Sequence, residues 1–225
     1  MTWHAVTSFL TYIVPPVLFG VLSSFLVVLF VESKKRPRLF LTAEAPQDAS
    51  YGPDRPAQKT RFVRVVASNQ QLPWYLRWMT RESAMHCRAE IRFRSSDGTD
   101  PFSGAMQGRW ANNPQPVPAV ALLGNTPLQI WDPNIWQLAG LGINIPAGEK
   151  EELDIAARFD DDEDAFAWSN ASYDPSTPWR NPKCKLRKDR YTISVTIRSG
   201  GQKWTGEYEL DNQGSREEMR LKKKQ

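Results

Sequence analysis

The chain is poor in the residues that most often carry chemistry. Its 225 residues include only two cysteines and two histidines. So few cysteines exclude a cystine-rich scaffold and any four-cysteine zinc module. So few histidines exclude most histidine-built metal centres and leave little for acid–base work near neutral pH. The sequence contains no GxSxG, no GxxxxGKS/T, no HExxH and no paired CxxC, so the commonest nucleophile, phosphate and zinc motifs are absent. Leu138-Ala139-Gly140-Leu141-Gly142 has two glycines but lacks the third of a dinucleotide loop. No catalytic residue, cofactor or metal is expected on these grounds.

A continuous basic stripe is also missing. The net charge is +4. Residues 32–38 and residues 216–225 each carry a net +3, which leaves the remainder two charges negative. A nearly neutral centre with basic ends does not suit a nucleic-acid backbone.

What is present first is one long apolar run. From Phe9 to Val31, 23 residues carry no charge. As a helix the run is about 34 Å long, enough for the roughly 30 Å hydrocarbon layer. A cleaved signal peptide would want basic residues before a shorter run. Here Lys34, Lys35, Arg36 and Arg38 follow it instead. The run therefore reads as an uncleaved transmembrane helix with its N-terminus outside and the following domain cytoplasmic. The four cations orient the chain and meet anionic lipid headgroups. Pro15 and Pro16 are expected to kink the span, and Gly20 with Ser24 offers a small-residue pair through which two copies could associate.

The rest alternates with period two. Met85, Cys87, Ala89, Ile91 and Phe93 form one apolar set; Leu153, Ile155, Ala157 and Phe159 another; Tyr191, Ile193, Val195 and Ile197 a third; Trp204, Gly206, Tyr208 and Leu210 a fourth. Such sets mark half-solvated strands of antiparallel sheets. Weaker strand candidates are 61–68, 106–110, 142–145 and 166–173. Ser199-Gly200-Gly201 reads as a hairpin turn, and Ser96-Asp97-Gly98 and Pro146-Ala147-Gly148 as further turns. Residues 74–84 form a short helical turn or loop. Arg38–Ala45 is either the first strand or part of a linker over 32–60.

Cys87 in one strand, Trp110 in the next and Tyr191 ahead of a late strand resemble the marks of the immunoglobulin-like superfamily. The second core cysteine would fall at Ile193, so the resemblance is to a version without the core disulfide, suited to a reducing compartment. The layout is also similar to uncharacterised prokaryotic single-pass membrane proteins with such a domain, a likeness that brings no reaction with it. The expected organisation is an external N-terminus (1–8), a transmembrane helix (9–31), a basic juxtamembrane segment (32–37), an all-β antiparallel immunoglobulin-like sandwich (38–213) and a charged tail (214–225).

Individual sites are weaker. His86 and Cys87 are neighbours on a strand and point to opposite faces, so Cys87 reads as a core thiol. The acids Asp160 to Asp164 offer five carboxylates to a cation, but Ala165 stands where an EF-hand loop needs glycine; a solvated turn fits better. Trp131 and Trp136 lie in a long insert and are candidates for partner binding. Asn170-Ala171-Ser172 is a glycosylation sequon, and Lys222-Lys223 sits where a dilysine retrieval signal would. The resulting expectation is a membrane-anchored, non-enzymatic protein-binding or adaptor module whose partner is membrane-bound or membrane-proximal. The alternatives are an accessory subunit of a membrane enzyme or transport complex, using acids such as Asp154, Asp160 and Asp174, or an outward-facing receptor or adhesion domain.

Overall fold

The computed structural model describes residues 14–51, 55–113, 119–123, 126–130, 142–173 and 179–224. They form two compact units. The first joins residues 14–37 to residues 71–82, and the second comprises residues 38–70 with those from 83 onward.

The first unit is built on helix α1 (Val14–Lys35). Over Val17–Lys35 it is long and apolar enough to cross a membrane, and none of that stretch is buried. Pro15 and Pro16 sit in its first described turn. The hydroxyls of Ser23 and Ser24 donate to the Gly20 carbonyl at 3.0 and 2.8 Å, and Ser33 donates to Phe30 at 2.8 Å. The described serines of the helix thus satisfy their own hydroxyls. Residues 71–82 contain one turn of 3-10 helix, Trp74–Leu76, as the sequence suggested. Their Leu72, Leu76 and Met79 form a small apolar cluster with Val31.

The second unit is mostly β in its described residues, with three short 3-10 turns. Its strands in chain order are β1 (Leu39–Ala43), β2 (Gln47–Tyr51), β3 (Arg55–Asn69), β4 (Ala84–Ser95), β5 (Met106–Gln107), β6 (Arg109–Trp110), β7 (Ala119–Leu123), β8 (Thr126–Ile130), β9 (Ile143–Ile145), β10 (Lys150–Phe159), β11 (Ala165–Ala167), β12 (Lys185–Leu186), β13 (Arg190–Ser199), β14 (Gln202–Asp211) and β15 (Arg220–Lys223). One antiparallel sheet runs β1-β3-β10-β11-β12, with β2 beside β3 and β6 beside β10. The other runs β15-β14-β13-β4-β5, with β9 beside β4. β7 and β8 pair as a separate hairpin. One apolar cluster draws on both sheets: Leu41, Val63, Val65, Leu153 and Ile155 from the first, and Ile91, Phe93, Ile193, Val195, Ile197 and Leu210 from the second.

The second sheet follows the period-two reading closely. β13 and β14 pair from Arg190↔Asp211 to Ser199↔Gln202, closed by Gly200 and Gly201. Both glycines take positive φ, at 52° and 78°, as a type I′ hairpin requires. Within residues 38–45 the stretch Leu39–Ala43 is a strand, paired with β3, and not a linker. Residues 106–110 divide into β5 and β6 around Gly108, where an added Cβ would come within 2.9 Å of the Ala89 Cβ.

Several expectations need correction. The β4–β9 pairing shifts register between Ala84 and Cys87. This bulge turns Ala84 inward and leaves Met85 49% exposed; a one-residue slip moves a side chain to the other face. A second bulge interrupts the β10–β3 register between Asp154 and Ala156. It divides the expected apolar set. Leu153 and Ile155 enter the shared core, whereas Ala157 and Phe159 join a separate cluster with Phe166, Trp168, Tyr173 and Trp179. Nor is β10 half-solvated, because every residue from Leu153 to Phe159 is buried. The segment 166–173 is a strand only to Ala167, after which Ser169 caps a 3-10 turn over Asn170–Ser172. The charged tail contains a 3-10 turn (Arg216–Glu218) and a short edge strand: β15 pairs with β14 through Leu210↔Leu221, and Met219 and Leu221 are buried. Finally, residues 71–82 group with α1 and not with the β unit.

Candidate functional site

Three of the four cations expected to orient the chain lie at or just after the end of α1. Lys34 Nζ lies 5.4 Å from the Phe30 ring centroid, and Lys35 pairs with Glu32 at 3.7 Å, one turn back. Arg36 follows with an exposed side chain, and its carbonyl accepts a hydrogen bond from Arg81 at 2.9 Å. Arg38 stands in the other unit, where its backbone N–H donates to Asn69 Oδ1 at 3.2 Å ahead of β1. Asn69, in turn, donates from Nδ2 to the Ile145 carbonyl at 3.0 Å. The sequence grouped these four cations by proximity along the chain; the structure sets Lys34, Lys35 and Arg36 on the helix terminus and Arg38 at the start of the sheet.

A second polar cluster lies on β3 and β10. Arg64 Nε donates to Asp154 at 2.6 Å, and its Nη1 reaches Glu152 at 2.7 Å and Gln47 at 2.5 Å. One guanidinium thereby ties together β2, β3 and β10. Asp154 is buried. Burial pushes its carboxyl upward despite the opposing charges of Arg64 and Arg109. Burial also draws the Arg109 guanidinium downward. Arg109 lies 5.0 Å from the Trp179 ring centroid and donates to Asn170 Oδ1 at 2.7 Å and the Asn113 carbonyl at 2.8 Å. Trp179 stacks on Trp168 with centroids 4.4 Å apart. The arrangement is a set of charge-assisted bonds from Arg64 and Arg109 to acceptors of the fold, with Arg109 beside an aromatic pair. The signal for it in the sequence is an arginine inside Phe62-Val63-Arg64-Val65-Val66 and an aspartate inside Leu153-Asp154-Ile155. Alternation alone assigns both to solvent.

The acidic run is bound to cations of the chain itself. Asp160 takes the Lys59 N–H at 2.7 Å and Arg216 Nε at 2.8 Å. Arg180 pairs with Asp161 at 2.5 Å and Asp162 at 2.8 Å. Asp164 pairs with Lys185 at 2.6 Å, and Glu163 with Lys188 at 3.8 Å. Among the described residues no group of three or more histidine, cysteine or acidic side chains could hold a metal ion. Asp154 and Asp160 thus serve different arginines. Trp131, Trp136 and Asp174 lie outside the described residues.

His86 and Cys87 diverge as expected. His86 is exposed, with φ at 50° on the β4 bulge, and Cys87 is fully buried, with its thiol 3.3 Å from the Ala84 carbonyl. Trp110 Nε1 donates to the Cys87 carbonyl at 3.1 Å. Gly142 presses on the same bulge: a Cβ there would meet the His86 carbonyl carbon at 2.4 Å. Close approach of two backbones accounts for that glycine. Cys87 and Cys184 are both free and buried, and burial pushes both thiols upward. Tyr191 donates from its hydroxyl to the Arg187 carbonyl at 3.1 Å, and burial pushes its phenol up to about 12.

Comparison with family models, with curated proteins and with solved structures finds no match to this chain.

Proposed function

We propose that the chain is a single-pass membrane-anchored, non-enzymatic binding or adaptor module, with its β domain on the cytoplasmic side. One observation carries the reading: α1 is apolar on every side, unburied over Val17–Lys35, and ends in Lys34, Lys35 and Arg36. A helix apolar all round belongs in a protein core or a bilayer, and this one is not in a core. The cations at its end favour the cytoplasmic leaflet. Two free, buried thiols suit a reducing compartment. Glu152 and Asp154 on β10 and the acids of the run after it are paired with arginine and lysine, which suits a scaffold that presents a surface.

The immunoglobulin-like reading of the domain belongs to the same proposal. Two strand orders support it: β1-β3-β10 in one sheet and β14-β13-β4 in the other follow the A-B-E and G-F-C neighbours of that fold. On this reading β3 takes the part of strand B and β4 that of strand C, one strand later than the position of Cys87 suggests. The Tyr191 bond to Arg187, four residues upstream, has the form of a tyrosine corner.

The test is photocrosslinking of the full chain in intact cells, with the crosslinker placed at exposed Lys203 or Glu207 on β14. The expected result is a discrete adduct with one protein from these positions. Adducts with lipid or with a second copy alone would count against an adaptor.

A further inference from the structure

The segment between β3 and β4 combines two features that pull in opposite directions. Its Leu72, Leu76 and Met79 are buried against one another and Val31. Its Trp74, Tyr75 and Trp78 are turned out, 78%, 60% and 73% exposed. Three large rings in water within five residues make an expensive surface. The segment is also fastened to the helix end: the Glu82 N–H donates to the Lys35 carbonyl at 2.8 Å, and Arg81 Nη1 donates to the Arg36 carbonyl at 2.9 Å. These bonds reach the last carbonyls of α1, which have no partner inside a helix. The exposed rings are therefore held at the level where the apolar run gives way to Glu32, Ser33, Lys34 and Lys35.

We infer that residues 71–82 are an interfacial foot that seats Trp74, Tyr75 and Trp78 in the headgroup layer of the same bilayer that α1 crosses. The inference rests on the membrane reading proposed above and adds a second contact to it. The chemistry of the occupant follows from the side chains. Tryptophan and tyrosine favour the membrane–water boundary, where an apolar ring and a polar edge are both satisfied. Lys34, Lys35, Arg36, Arg77 and Arg81 outnumber Glu32 and Glu82 across these two stretches, which suits anionic headgroups. With two contacts, the helix anchors the chain and the foot restricts how the helix end tilts and turns.

The test uses the full chain reconstituted in vesicles of phosphatidylcholine and phosphatidylglycerol. Cys87 and Cys184 are buried, so an environment-sensitive thiol dye goes selectively to an introduced cysteine. Three single variants are compared: Tyr75→Cys in the foot, Leu26→Cys within α1, and Lys203→Cys on the sandwich. Quenchers are carried on the lipid acyl chain either near the headgroup or near the bilayer centre. The expected result is loss of the Tyr75→Cys signal to the shallow quencher, loss of the Leu26→Cys signal to the deep one, and no loss at Lys203→Cys. Adding Trp74→Ala and Trp78→Ala should abolish the loss in the foot and leave that in α1. If Leu26→Cys is quenched and Tyr75→Cys is not, the foot is overturned and the span stands; a blue-shifted but unquenched Tyr75→Cys, the mark of cover by protein, overturns it equally. If neither is quenched, both readings fall together.

Discussion

The two sheets handle polar residues in contrasting ways. In the second sheet, β13 and β14 expose one face, and their ion pairs sit in water: Arg198 and Glu90 are 3.4 Å apart, with side chains about half exposed. In the first sheet, β10 is buried along both faces, and its Asp154 meets Arg64 at 2.6 Å under cover. The same chemistry has different consequences. A surface pair is screened and adds little, whereas a buried pair holds the strands in one arrangement because neither charge tolerates loss of the other.

Substitutions can sharpen that contrast. The largest expected effect is at Asp154: Asp154→Ala leaves the Arg64 guanidinium without its buried counter-charge and should cost about 3–5 kcal/mol. Glu90→Ala, which breaks a pair on the second sheet, should cost no more than about 1 kcal/mol. Urea unfolding of the detergent-solubilised full chain measures both, and equal losses would erase the distinction between the sheets. Gly142→Ala comes next. Its Cβ would lie 2.4 Å from the His86 backbone, so the β4 bulge must move, at about 1–3 kcal/mol. Gly201→Ala meets no neighbour within 4 Å, but its φ of 78° is strained for any residue with a Cβ. Its cost should be about 1–2 kcal/mol, read from the same unfolding curves.

The smallest effect concerns pH, and the two sheets should respond with opposite sign. Asp189, just before β13, accepts hydrogen bonds from the Ser95 hydroxyl and from Ser96 Oγ at 2.7 Å. These bonds lower its carboxyl from 3.8 to about 2. Folded Asp189 then holds its proton more weakly than unfolded Asp189, so it contributes stability above pH 3.8 that is lost as pH falls toward about 2. Asp189→Asn should flatten that part of the acid limb of a stability-versus-pH curve. Asp154, raised by burial, acts in reverse: its stabilising contribution diminishes as pH rises through the interval above 3.8. An unchanged acid limb in Asp189→Asn would show that the serine bonds do not hold the carboxylate.

These differences also explain what the sequence reveals and what it conceals. The second sheet is legible because each of its long strands has one wet face, so Ile193, Val195 and Ile197 stand apart from their polar neighbours, and Gly200-Gly201 marks the turn. The first sheet is less so. Alternation cannot report a strand covered on both sides, and it cannot anticipate the extra residue at the Asp154–Ala156 bulge that sends Ala157 and Phe159 into another cluster. Met85 leaves the apolar face for the same reason, because the bulge beside His86 reverses the parity of β4. The pairing of Arg64 with Asp154 spans 90 positions, and nothing local encodes it. Lys34, Lys35, Arg36 and Arg38 are visible at once, since charge after an apolar run needs no tertiary information. For residues 74–84 the sequence reads only as a short helical turn or loop; the contacts of Leu76 with Val31 and of Glu82 with Lys35 join positions more than forty residues apart and leave no local mark.

The proposal as a whole turns on which side of the bilayer the β domain occupies. Protease treatment of sealed, right-side-out vesicles carrying the full chain, followed by detection of the domain, asks this directly. The account predicts that the domain stays intact until detergent opens the vesicles. Digestion in sealed vesicles would contradict it and reverse the assigned orientation.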